Sequence, residues 1–190
     1  LDFSNVTLVG VISAETSLWI PDFRADERTF QLLTQVSGRS GRSDKEGEVI
    51  IQTQNSKNFV LQKVVENDYK GFYDREILLR EQGEYPPFTR IGLIEIKDEK
   101  ESDARNAINE FAKYLGKFGK GLNISPPTEA VVYKIKGSYR FQIVIKSSRK
   151  NDPSGKLLRS AILNSFIEFN QKSRFKDLRV IIDIDPQSII

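Results

Sequence analysis

The sequence has 190 residues, 38% of them hydrophobic, with 29 Lys/Arg against 26 Asp/Glu and a net charge of +3. It contains no cysteine and no histidine. That excludes disulfides, thiolate metal sites, a cysteine nucleophile and imidazole chemistry, and leaves carboxylates as the side-chain metal ligands. No stretch reaches the apolar length of a membrane span, and no signal-peptide pattern opens the chain. Charge is unevenly placed. Residues 1–85 carry 10 Lys/Arg and 14 Asp/Glu, a net of −4, and residues 86–190 carry 19 and 12, a net of +7. The chain starts at Leu1 without methionine, as a piece cut from a longer protein does.

VTLVGVI (6–12) is nearly continuous in apolar residues and reads as a strand buried on both faces, as in a parallel sheet. SAETSLWIPDFRAD (13–26) reads as a long ordered loop at a strand's carboxyl end, where open α/β sheets carry sites. Asp26 is positioned to cap a helix whose stripe is Phe30, Leu33 and Val36, and Gly38 or Gly41 ends it. EVIIQTQ (48–54) is a second strand. Residues 58–82 read as helix, broken near Asp68, and GEYPPF (83–88) stops it.

The remainder runs strand (89–97), helix (102–118), hairpin (130–146), helix (155–171) and strand (179–185). The hairpin is expected to turn at Gly137-Ser138. This β-α-β-β-α-β order is that of the ferredoxin-like split βαβ, with one sheet face on two helices and the other, carrying Lys and Arg, open. The expected division is 1–57, a helical connector 58–87, and 88–190.

Three stretches carry candidate chemistry. In QVSGRSGR (35–42) two arginines follow two glycines where a helix stops. A guanidinium fork suits phosphate oxygens, and a pair held this way can clamp a transferring phosphoryl group. The same residues also suit a glycine C-cap with cations at the helix's negative end. In IPDFRADER (20–28), Arg24 and Arg28 either face DNA or an opposing lobe, or pair with Asp22 or Asp26 in a loop anchored by Trp19, Ile20 and Phe23. In the basic run 134–159, alternation places Lys134 and Lys136 on one strand face, and Arg140, Gln142 and Lys146 on one face of its neighbour. That surface suits a DNA backbone or is solvated charge. Tyr133, Tyr139 and Phe141 fall on the opposite side and read as core.

QVSGRSGR matches QxxGRxGR, motif VI of superfamily 2 helicases. The ordered set LDFSNVTLVGVISAE, IPDFRADERTFQLLTQVSGRSGR, GEVIIQT, YPPFTR and IDIDPQS, spanning essentially the whole sequence, resembles the C-terminal part of the primosomal protein N′ family, bacterial helicases of replication restart. The resemblance implies an α/β chain, a partial RecA-like helicase lobe 2 followed by the α+β ferredoxin-like domain. It implies Arg42 as arginine finger, Arg39 as its partner at the phosphates, and Gln35 at the nucleotide edge of the cleft. Gly38 and Gly41 would shape the phosphate-facing turn, and Asp2, at the end of motif V, would couple nucleotide to DNA.

By the same resemblance, the full-length protein is a cytoplasmic bacterial 3′–5′ DNA helicase using ATP and Mg, with zinc in a segment that precedes this one. Its partners are forked or single-stranded DNA, the other helicase lobe, primosome proteins and single-stranded DNA-binding protein. The sequence has no GxxxxGK[ST] loop and no acidic Walker B strand, so this stretch alone is expected not to hydrolyse ATP and to hold no metal. The alternative is a non-enzymatic module binding nucleic acid or a partner.

Overall fold

The computed structural model describes residues 7–38, 48–175 and 178–189. The chain forms two compact units, Leu1–Leu79 and Arg80–Ile190, both mixing helices with strands.

The first unit contains β1 (Leu8–Val11), α1 (Glu15–Leu18), α2 (Ala25–Ser37), β2 (Glu48–Ile51), α3 (Phe59–Val65) and the start of α4 (Tyr69–Gln82). β1 and β2 pair in parallel, Leu8 opposite Glu48 and Val11 opposite Ile51. Helical spacing puts Phe30 and Leu33 on the inner side of α2, where they meet Val60, Leu61 and Val64 of α3 and Phe72 of α4. Phe30 and Phe72 stack at 4.3 Å. The Asn58 side chain caps α3, accepting from the N–H groups of Val60 (2.9 Å) and Leu61 (3.3 Å). The expected break falls at Asn67, whose φ is +52°. Asp68 then accepts from the Gly71 N–H at 2.8 Å in the first turn of α4.

Three expectations differ here. β1 is not buried on both faces: its residues alternate between exposed and half-buried. Among the described residues its sheet has two strands, and only Val11 and Ile51 of it reach the core. Asp26 does not cap α2, which begins at Ala25 after Arg24 and has no side-chain cap. Nor are residues 58–79 a separate connector. α3 and Phe72 complete the first unit's core, and the division falls inside α4.

The second unit continues with β3 (Thr89–Asp98), α5 (Glu101–Phe118), β4 (Asn123–Ile124), β5 (Thr128–Ile135), β6 (Ser138–Ser148), α6 (Lys156–Lys172) and β7 (Arg179–Ile184). The sheet runs β4-β6-β3-β7, with β5 also against β6, and these pairings are antiparallel. Ala104, Ala107, Ile108, Phe111 and Leu115 form the inner stripe of α5, all fully buried. They pack with Leu158, Ile162 and Phe169 of α6 on Ile94, Ile96, Phe141, Ile143 and Ile145 of the sheet. Each such Leu, Ile or Phe side chain is worth about 1.5–3 kcal/mol relative to exposure. The carboxylate of Asp152 holds the start of α6, accepting from the N–H groups of Leu157 and Leu158 (3.1 Å each) and from Ser147 Oγ (3.0 Å).

The hairpin turns one residue earlier than expected. Lys136 (φ +49°) and Gly137 (φ +87°) are its two loop residues, the paired positive φ that type I′ turns need. Lys136 is therefore a turn residue and not a strand residue.

Candidate functional site

α2 leads in sequence into the Gly-Arg repeat. Its last turn carries Gln35, which is exposed, and its C-cap is Gly38, whose N–H donates to Thr34 O at 3.0 Å. Gly38 has φ −73°, so the helix does not end there on a left-handed residue. Asp2, Arg39, Gly41 and Arg42 lie outside the described residues. The loop before α2 is closed by Asp22, which is buried and accepts from the Arg24 N–H at 2.8 Å. The same carboxylate lies 4.0 Å from the Arg28 guanidinium, and that of Arg24 sits 5.1 Å over the Phe23 ring. Both loop arginines thus have internal partners. Trp19 is not an anchor: it is 70% exposed, and Ile20 is exposed as well.

Glu15 went unnoticed in the sequence. It is buried, accepts from Thr53 Oγ, and takes the N–H groups of Gln54 (2.5 Å) and Asn55 (3.3 Å). These donors, Thr53 first, hold its carboxyl below the usual range. One carboxylate therefore ties the segment after β1 to the segment after β2. An acid following a strand read as buried was the only signal of this, and its partners lie 38 to 40 residues away.

On the sheet, two of the four expected DNA contacts turn inward. Arg140 is 8% exposed and donates through Nε (3.0 Å) and Nη2 (2.5 Å) to Glu95 Oε2, and through Nη1 (2.9 Å) to Val132 O. Lys97 Nζ lies 2.9 Å from Glu95 Oε1. Burial works against the Glu95 charge, but the two cations outweigh it and keep its pKa low. Lys146 donates to Gly83 O at 2.7 Å and sits 3.8 Å over the Tyr85 ring, with its pKa lowered by burial. The face read as open is closed in part by the chain's own end, where Gln142 Nε2 donates to Ile189 O at 3.3 Å. Gln142 is 7% exposed.

The other two contacts stay outside. Lys134 is exposed, and its Nζ donates to Tyr139 Oη at 3.0 Å. A register shift between Glu129 and Lys134 puts it opposite Tyr139. It therefore shares a side with that ring, not with Arg140. Tyr133, Tyr139 and Phe141 pack edge-on at 5.4 and 5.7 Å as part of the core.

Lys136 reaches a feature that alternation did not reveal. A cleft of about 680 Å³ lies at the end of the sheet, rimmed by Lys97, Lys100, Lys136, Arg174 and Arg179. Asp98, Glu99 and Asp103 also line it, and Asp98 Oδ1 is taken by the Lys100 N–H at 2.7 Å. Its apolar lining is Ile135, Phe175 and Leu178, and the last two pack against the core. Among the described residues, no group of three or more acidic side chains is placed to hold a metal ion. None of the described helices is long and apolar enough to cross a membrane.

The chain is thus a two-unit α/β protein whose second unit carries a cation-rimmed cleft. The family described as Primosomal protein N C-terminal domain matches residues 81–187, and the chain belongs to it. Replication restart protein PriA of Bacillus subtilis is 39% identical over 188 residues, covering 98% of this chain and 23% of that relative. The proteins of the same name from Haemophilus influenzae and Chlamydia pneumoniae are each 35% identical, over 98% and 99% of this chain and 25% and 24% of their own lengths. The chain spans about a quarter of these relatives.

Proposed function

We propose that this chain is the C-terminal part of an ATP-dependent 3′–5′ DNA helicase that restarts replication in the bacterial cytoplasm. Its first unit is the end of a RecA-like second lobe. The observation that carries the reading is QVSGRSGR at the end of α2, in a chain whose relatives bear the replication-restart name across nearly its whole length. Arg42 reaches the γ-phosphate held by the other lobe, Arg39 assists, and Gln35 touches the nucleotide edge. Gly38 and Gly41 let the backbone approach, and Asp2 couples nucleotide state to DNA. ATP and Mg would bind with the rest of the protein, and this segment alone is inactive.

The second unit is the ferredoxin-like domain, favoured by the strand order β5-β6-β3-β7 with α5 and α6 on one face. It serves forked or single-stranded DNA and primosome partners. Lys134 and Lys136 are the retained DNA contacts, with exposed Arg28 as a weaker one. Arg140 and Lys146 act as structural groups.

The test is DNA-stimulated ATP hydrolysis by the full-length protein. Arg42→Ala should lower it by about 10³-fold or more, the scale of a lost arginine finger, while DNA affinity stays within about twofold. Unchanged hydrolysis would sink the finger assignment. ATP turnover by the 190-residue chain alone would contradict its inactivity.

A further inference from the structure

We infer that the cleft at the end of the β3–β6 sheet takes a single-stranded stretch of nucleic acid, with one base against its apolar lining and the flanking phosphates on its cations. This rests on the reading of the chain as part of a DNA-handling protein and names what one site would hold.

Three features point to a base and not to phosphates alone. The first is chemical duality. A site for bare backbone needs only cations, yet here Ile135, Phe175 and Leu178 line the cleft together with Lys136, Arg174 and Arg179. The Arg174 guanidinium lies 5.0 Å over the Phe175 ring, so a base would stack on a guanidinium backed by that ring, a platform that single-strand sites use. A duplex keeps its bases stacked inside and would gain nothing from such a lining.

The second is preorganisation. Phe175 and Leu178 are packed on the core, and Phe175 N–H donates to Ser173 Oγ at 3.2 Å. Lys136 is fixed in a two-residue turn. Little ordering is left to be done on binding. The third is the state of the charges. Lys97 is held by Glu95, and the carboxylates Asp98, Glu99 and Asp103 share the lining with the remaining cations. Lys136, Arg174 and Arg179 make no ion pair among the described residues. The cleft, at about 680 Å³, is of a size usual for a small organic group.

The experiment uses fluorescence anisotropy of the 190-residue chain with three labelled probes: oligothymidine, an abasic strand of the same length and charge, and a duplex. Oligothymidine should bind about tenfold more tightly than the abasic strand, the value of one stacked base. Phe175→Leu keeps the lining apolar but removes the ring that backs the Arg174 guanidinium, and should erase that difference. Arg179→Ser should weaken both single strands alike and lessen the salt dependence. Equal affinity for the thymidine and abasic strands, untouched by Phe175→Leu, overturns the inference while leaving DNA binding standing. Displacement of oligothymidine by an acidic peptide at lower concentration than by unlabelled oligothymidine reassigns the cleft to a protein partner and also overturns it. Absence of binding by all three probes at low salt overturns both this inference and the DNA-binding reading of the second unit.

Discussion

Among the described residues, the core of the first unit holds seven buried apolar side chains, and that of the second holds thirteen. The first unit also leaves Ile12, Trp19, Val65 and Tyr69 between 65% and 80% exposed, whereas among the described residues no large apolar one of the second exceeds 56%. The difference is one of layers. In the second unit two helices lie on a sheet whose central strand β3 is paired on both sides. In the first, the sheet has two strands among the described residues and gives its helices little to cover. A sheet becomes self-sufficient when its inner face is roofed along its length, and only the second reaches that point.

The contrast can be broken at its strongest joint. Removing Arg140 leaves the buried Glu95 carboxylate with Lys97 as its remaining cation, so Arg140→Ala should cost about 3 kcal/mol in urea unfolding of the second unit, the low end for a broken buried pair, with the first unit's transition unmoved. A loss below about 1 kcal/mol would mean that Lys97 alone satisfies the carboxylate. Asp152→Asn comes next, at about 1–3 kcal/mol. Its carboxyl is disfavoured by burial, but the donors Leu158, Leu157, Ser147 and Lys156 more than compensate and hold the pKa low. A lowered folded pKa means that its stabilisation is in full force above the unfolded value, about 3.9. That stabilisation is lost as pH falls through the lower folded value. The Asn variant should therefore shed less stability than the parent as pH falls below about 4, and parallel acid curves would refute the assignment.

In the first unit, Asn58→Ala removes the cap of α3 and should cost about 1 kcal/mol, read as faster amide exchange over residues 59–65 with no change in the second unit. Hydrogen exchange of the unaltered chain sharpens the same comparison. Residues 88–190 should be protected more than 1–57, and equal protection would show that the thinner core is sufficient.

What the sequence made legible follows from the same physics. The α5 stripe was readable because helical spacing and burial coincide at Ala104, Ala107, Ile108, Phe111 and Leu115. The break near Asp68 and the inward placing of Phe141 were readable for similar local reasons. Alternation also told which side of β6 carries Arg140 and Lys146. It could not tell what lies over that side, because Glu95, Gly83 and Ile189 arrive from elsewhere in the chain. A charged residue on a period-two face is solvated only if nothing else in the chain covers it. Glu15 and Asp152 escaped notice because both accept backbone N–H groups, which every residue but proline offers and no sequence pattern announces. The cleft escaped because Lys136, Arg174 and Arg179 meet only through the fold.

The register shift in β5 has a consequence for behaviour in a crowded solution. Between Glu129 and Lys134 the strand leaves its regular ladder, and the Arg140 guanidinium takes the Val132 carbonyl. A second chain approaching this margin would meet neither a straight row of donors and acceptors nor a neutral one. Val131 and Val132, about half exposed, are thereby poor templates for runaway strand addition. The domain can expose β-branched residues beside a charged hairpin tip without offering this margin as a regular ladder to another strand.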